Sequence, residues 1–283
     1  MLKSIRMKAF LFLLAGLMLL AAAACGSKQA NTQPDGSGGT SAAASPPASS
    51  APPAELTVSA AASLTGALDE IKAAFEAANP SISLHFNFGA SGTLQKQIEQ
   101  GAPADLFLSA SSKNMKALVD QNLVAAEDSR DLLGNSLVVI VPKGADPSIS
   151  SLDALAGQAF SKIAIGIPES VPAGQYAQEA LAKAGRWDAL KDKLVQAKDV
   201  KAVLQAVETG NADAGFVYRT DAQASAKAAV AYEVDPASYP SIRYPAAIVK
   251  ATKHRSEAER FYAYLQSEDA MAVFKSFGFT DPK

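Results

Sequence analysis

The 283-residue chain holds a single cysteine, two histidines and one tryptophan. One cysteine cannot form an internal disulfide, so whatever folds here must rest on its apolar core. Two isolated histidines, with no His-x-His or Cys-x-x-Cys spacing anywhere, argue against a transition-metal site. The chain also lacks a Walker loop, a Gly-x-Gly-x-x-Gly turn and any Ser-x-x-Lys pair. Gly89-Ala90-Ser91-Gly92 lacks the second spacing of a nucleophile elbow. His85 falls on the polar side of an alternating strand, and His254 lies between Lys253 and Arg255, so neither reads as a general base. Basic runs are missing too. Once Lys3, Arg6 and Lys8 are set aside, the formal charge of −2 becomes about −5, which makes nucleic acid a poor partner.

What is present begins at the N-terminus. Lys3, Arg6 and Lys8 precede an uncharged apolar run from Ala9 to Ala24, the two regions of a secretory signal. That run is short for a membrane span. It ends in Ala22-Ala23-Ala24-Cys25-Gly26, which resembles a bacterial lipoprotein processing site, with Ala22 where a leucine is usual. The resemblance implies cleavage before Cys25 and lipid on its sulfur. Gly26 to Ala54 is rich in Ser, Ala, Gly and Pro and reads as a flexible tether.

Beyond the tether, strands and helices alternate. Leu56 to Ala60 reads as a buried strand, and from Leu64 the apolar residues Leu64, Leu68, Ile71, Phe75 and Ala78 take helical spacing up to Asn79-Pro80. Ser63 stands at the switch as the expected N-cap. Ile82, Leu84, Phe86 and Phe88 alternate as a strand, and a short helix follows from Leu94 to Gln100. Ala104 to Ser109 is a strand, and Ser112 is the expected cap of the next helix. The β-branched run Leu137 to Val141 is expected as a buried parallel strand. Then come a strand at Ile163–Ile167, a helix at Gln175–Ala184, an Asp199-capped helix at Val200–Glu208, and strands at Ala214–Tyr218 and Ala246–Val249. Ser256 with Glu259 forms a capping-box pattern before the C-terminal helix. The alternation implies an α/β fold with mostly parallel sheets.

Small or hydroxyl residues recur at these strand-to-helix transitions. A helix start offers unpaired N–H groups and the positive end of a dipole, which suits an anion. Ser63, Ser91, Ala173 and Val200 lie at or just before such starts, and Tyr218 adds a phenol at the end of a strand. In an open α/β sheet ligands bind beyond the carboxyl ends of the strands. Together these five would form a neutral cage of donors, suited to an anion that is already deprotonated. Asp105 and Asp213 read as structural carboxylates, and Trp187 as a cover over a helix end.

Six segments carry a resemblance. Val58-Ser59-Ala60-Ala61-Ala62-Ser63-Leu64-Thr65, Phe88-Gly89-Ala90-Ser91-Gly92-Thr93-Leu94, Gln100 to Phe107, Val171-Pro172-Ala173-Gly174, Asp199-Val200, and Val217-Tyr218 with Asp221-Ala222 are similar to the molybdate-binding proteins of molybdate ABC transporters. The likeness spans nearly all of 56 to 279. It implies a two-lobed periplasmic-binding-protein fold of type II, each lobe a mostly parallel sheet flanked by helices, with molybdate or tungstate in the cleft. The implied boundaries are 1–24 signal, 25–54 lipidated Cys25 and tether, 55–136 first lobe, 137–242 second lobe, and 243–283 returning to the first. Ser63 and Ser91 would each supply a hydroxyl and an N–H, Ala173 and Val200 backbone N–H groups, and Tyr218 its phenol. Molybdenum would be held only through its oxygens, with no resident cofactor. The implied partner is an ABC permease, reached by an extracytoplasmic, lipid-anchored monomer that is not an enzyme. Arg219, charged and bulky beside Tyr218, is a departure, expected to point to solvent. Sulfate or phosphate binding is the alternative ligand reading, a membrane-partnered sensor an alternative role, and a secreted serine hydrolase a remote one.

Overall fold

The computed structural model describes residues 53–145 and 149–282, so the signal run, Cys25 and nearly all of the tether lie outside the described residues. The first part of the chain forms β1 (Ala54–Ala61), α1 (Thr65–Ala78), β2 (Ile82–Gly89), α2 (Ser91–Glu99), β3 (Leu106–Leu108), α3 (Ser112–Asp120) and β4 (Val124–Asn135). A second set follows: β5 (Leu137–Pro142), β6 (Ile163–Gly166), α4 (Pro172–Lys183), α5 (Trp187–Leu190), β7 (Leu194–Ala197), α6 (Val200–Glu208), β8 (Ala214–Tyr218), α7 (Arg219–Gln223) and β9 (Ala228–Glu233). The chain closes with β10 (Ile242–Val249), α8 (Arg255–Tyr264) and α9 (Glu268–Ser276). None of the described helices is long and apolar enough to cross a membrane.

The strands form two five-stranded sheets, ordered β2-β1-β3-β10-β4 and β7-β6-β8-β5-β9. Each is the centre of one lobe. In both, three strands pair in parallel and a fourth, β10 or β5, runs against its two neighbours. Four of the five strands in each sheet therefore point the same way. The lobes are joined where β4 runs into β5 through Ser136, and again where β9 leads back to β10.

Burial follows the side-chain periods. Leu68, Ile71 and Phe75 put one face of α1 against the first sheet, where Phe75 meets Phe261 of α8 edge-on at 4.9 Å between ring centroids. Each such fully buried side chain contributes on the order of 1.5–3 kcal/mol. On the other face of the sheet, Phe107 packs with Leu94, Ile98, Met115 and Leu118 of α2 and α3. The alternation in β3 decides this division, since Leu106 and Leu108 join the α1 side.

Four expectations need correction. Leu137–Val141 lies in β5, which is antiparallel to both β8 and β9. A run of buried β-branched residues reports that both faces are covered, not which way the strand runs. Ser63 makes no cap, because a 3-10 turn (Ala62–Leu64) is interposed before α1 and its hydroxyl is engaged elsewhere. Ser111, not Ser112, caps α3 by accepting from Lys113 N–H. The Ser256–Glu259 box does not form: α8 starts at Arg255, whose Nε donates to Glu259 at 2.7 Å. The helix that follows it, α9, is capped by Ser267, which accepts from Ala270 N–H.

Candidate anion-binding cleft

The cleft is assembled from chain ends that the topology brings to one place. At the carboxyl end of β1 the 3-10 turn places Ser63, and at the end of β2 the first turn of α2 places Ser91. The opposite lobe contributes Ala173 in the first turn of α4, Val200 at the start of α6, and Tyr218 as the last residue of β8. All five line one small cleft between the lobes. α2 and α4 each begin three residues before the sequence pattern indicated, which puts Ser91 and Ala173 inside their helices' first turns.

First-turn N–H groups have no acceptor within their own helix. Among the described residues, the N–H groups of Ser63, Ser91, Ala173 and Val200 have no partner elsewhere either. α4 is seated by its glycine: a Cβ on Gly174 would lie 2.0 Å from the carbonyl oxygen of Gly166, so only glycine lets this turn rest on the end of β6. At α6, Asp199 caps by accepting from Ala202 N–H at 2.8 Å. Its carboxylate is the one acidic side chain among the described residues lining the cleft.

The hydroxyls are held from behind. Ser91 Oγ accepts from Ala110 N–H at 2.9 Å, which leaves its proton for the cleft. Ser63 Oγ lies 3.0 Å from the phenol of Tyr244, and Asn135 Nδ2 donates to that phenol at 3.2 Å. Tyr218 is 1% exposed, and among the described residues its buried hydroxyl has no hydrogen-bond partner. Burial pushes that phenol well above its ordinary pKa, and Tyr244, Tyr176 and Asp221 push the same way. It therefore stays protonated and can only be a donor to an anion. An unpaired buried hydroxyl costs roughly 1–3 kcal/mol, a cost that an acceptor in the cleft removes.

Apart from Asp199, the nearby charged side chains are engaged outside the cleft. Asp221, in α7, is fully buried with Oδ1 3.2 Å from Lys201 Nζ. Burial raises its pKa, and the Lys201 charge opposes the rise. Arg219 turns away from the cleft to pair with Glu233 and Ser136. The lobes meet directly at Gly92, whose N–H donates to Ser170 O at 2.9 Å, and at Tyr176, whose hydroxyl reaches Ala110 O at 3.5 Å.

Other singled-out residues lie apart. His85 is exposed on β2 beside Glu55, and His254 precedes α8. Asp105 accepts from Thr57 N–H and Thr252 Oγ1, and Asp213 from Ser161 and Lys162, both fastening loops to strands. Trp187 opens α5 and packs partly buried against the core. Tyr244, Asn135 and Lys201 were not singled out from the sequence, where Asp221 stands only within a resembling segment. The one local signal was a tyrosine at the head of the otherwise apolar run Tyr244–Val249.

The family profile of bacterial extracellular solute-binding proteins matches residues 56–280. The chain belongs to that family. Among individual solute-binding proteins it is 46% identical to a Bacillus subtilis protein provisionally named an ABC transporter substrate-binding lipoprotein, over 95% of this chain and 97% of that one. It is 40% identical to the molybdate-binding protein of Escherichia coli, over 80% of this chain and 89% of that one. Its structure resembles the periplasmic molybdate-binding protein of Azotobacter vinelandii with a TM-score of 0.73 and 26% identity, covering 81% of this chain and all of that one. The two-lobed arrangement described above is the fold of these solute-binding relatives.

Proposed function

We propose that this solute-binding protein captures molybdate, and tungstate of like shape and charge, outside the cytoplasm and delivers it to an ABC import permease. The observation that carries the reading is the Tyr218 hydroxyl, buried, protonated and unpaired in a cleft where four helix-start N–H groups are also unpaired. Such a site gives a dianion neutral donors and helix dipoles, with no cation to hold it. Ser63 and Ser91 supply hydroxyls and N–H groups, Ala173 and Val200 N–H groups, and Tyr218 its phenol. The names of the relatives supply the choice of molybdate among oxyanions. Closure of the lobes strips water from the anion and completes its donor shell. Sulfate carries the same charge and shape, so size is what separates the two.

Among the described residues neither serine has a base beside it: Ser63 pairs with a phenol and Ser91 with a backbone N–H. We therefore read the chain as a binding protein and not an enzyme, working as a monomer and without a cofactor. Lipid on Cys25 with the tether behind it would keep the domain at the outer face of the membrane, a reading supported by the lipoprotein name of the Bacillus relative.

Calorimetric titration with molybdate, tungstate, sulfate and phosphate tests the reading. Tight binding of the first two, with no heat from sulfate or phosphate, is the expected result. Binding of sulfate or phosphate in place of molybdate would overturn the ligand.

A further inference from the structure

The hydrogen bonds behind Ser63 have a direction that can be worked out. Asn135 is the last residue of β4, where the chain crosses between lobes. Its Oδ1 accepts from Ser136 N–H at 2.9 Å, so the amide nitrogen must face the other way. Its two N–H groups then go to Thr220 Oγ1 at 3.0 Å, in the second lobe, and to the Tyr244 hydroxyl at 3.2 Å, in the first. Every hydrogen-bonding group of this amide is thereby committed, and the orientation is pinned on three sides.

The Tyr244 hydroxyl accepts from Asn135, so its own proton is free for Ser63 Oγ, 3.0 Å away. Tyr244 is fully buried, in edge-on contact with Phe279, with its ring 5.8 Å from that of Tyr218. With that proton given to Ser63, the serine Oγ is the acceptor and its own proton is left for the cleft. Were the amide reversed, the phenol would donate to the amide and Ser63 to the phenol. The cleft would then face an oxygen lone pair, repulsive to an anion.

We propose that Asn135 is a positioning residue for ligand binding, whose amide, acting through the Tyr244 hydroxyl, holds Ser63 as a donor to the bound oxyanion. Asn135 itself stays out of the cleft. Because the same amide grips Thr220, just after Tyr218, the relay is anchored to both lobes at their crossing. The inference rests on the oxyanion reading of the cleft, and neither Asn135 nor Ser63 Oγ contacts the other.

The test is a double-mutant cycle on the full chain, read as the Kd for molybdate. Asn135→Ala should weaken binding about three- to tenfold, the scale of one net hydrogen bond. In the Ser63→Ala background the same change should cost less than about twofold, because nothing remains for the relay to orient. Equal losses in both backgrounds would overturn the proposal, since a merely structural asparagine acts regardless of Ser63. If Asn135→Ala does not fold, Asn135→Leu serves, nearly the same size, donating nothing and adding no charge beside the anion. A second readout needs no ligand: the NMR resonance of the buried Tyr244 hydroxyl proton should move in the Asn135 variant, where the phenol loses the donor that orients it. An unchanged resonance in the variant would refute the relay. A wild-type chain indifferent to molybdate would instead overturn the ligand reading, and the NMR comparison would still decide the relay.

Discussion

Gly92→Ala separates two effects that glycine usually confounds. Gly92 is the second residue of α2, where alanine is the better helix former by about 0.8–1 kcal/mol. In the lobe that carries it, the substitution is therefore neutral or stabilising. In the joined lobes it is not: a Cβ at this position would sit 2.8 Å from Ser170 O and 2.9 Å from Ser170 Cα, both backbone atoms of the opposite lobe. To reach an ordinary 3.4 Å contact the lobes would have to part by roughly 0.6 Å, stretching the 2.9 Å Gly92–Ser170 hydrogen bond to about 3.5 Å. Overpacking of this kind costs about 1–3 kcal/mol, or roughly 5- to 150-fold in affinity. Because the clash exists only when the lobes meet, the loss should appear in the dissociation rate, with association little changed. Stopped-flow fluorescence with molybdate and thermal melts with and without it would show this. The expected pattern is an unchanged or raised ligand-free Tm with faster release. Wild-type affinity in Gly92→Ala would refute the reasoning, since it would mean that the bound form does not press Ser170 against α2.

Tyr218→Phe should weaken molybdate binding by about 1.5–3 kcal/mol, yet leave the ligand-free Tm unchanged or higher, because a buried unpaired hydroxyl is removed; calorimetry and melting curves check both signs. Ser91→Ala should lose affinity and, unlike Tyr218→Phe, also lower ligand-free stability by about 1–3 kcal/mol, because Ala110 N–H is left without its acceptor. Molybdate affinity should stay flat from about pH 7 to 9, since the Tyr218 phenol is shifted upward and remains a donor; a decline across that range would mean that Tyr218 ionises. Asp213 is held below the usual carboxylate range by Lys162 and Ser161 N–H groups and the Ser161 hydroxyl. Its contribution is complete above the unfolded pKa near 3.9 and is lost as pH falls through the lower folded value, so Asp213→Asn should flatten the acid limb of a plot of Tm against pH.

The residues that gather at the cleft were visible in the chain because each sits at a local event. A strand ends, a small or hydroxyl residue follows, and a helix pattern begins, as at Ser63, Ser91, Ala173 and Val200. Such events depend on neighbours within a few residues, so the sequence by itself determined most strands and helices, the α/β class and the candidate donors. Edge strands were less legible: β7 and β9 are short and half exposed, so their apolar pattern is faint.

Only the tertiary structure decided the rest. The direction of β5 depends on where the chain re-enters after Ser136, and nothing in Leu137–Val141 encodes it. Ser63 and Tyr244 are 181 residues apart, and Asn135 and Tyr244 are 109, yet their hydroxyl and amide groups form one chain of hydrogen bonds. A serine's local sequence says that it can donate or accept. Which of the two it does toward the cleft is settled by the partner packed behind it, and long-range packing chooses that partner.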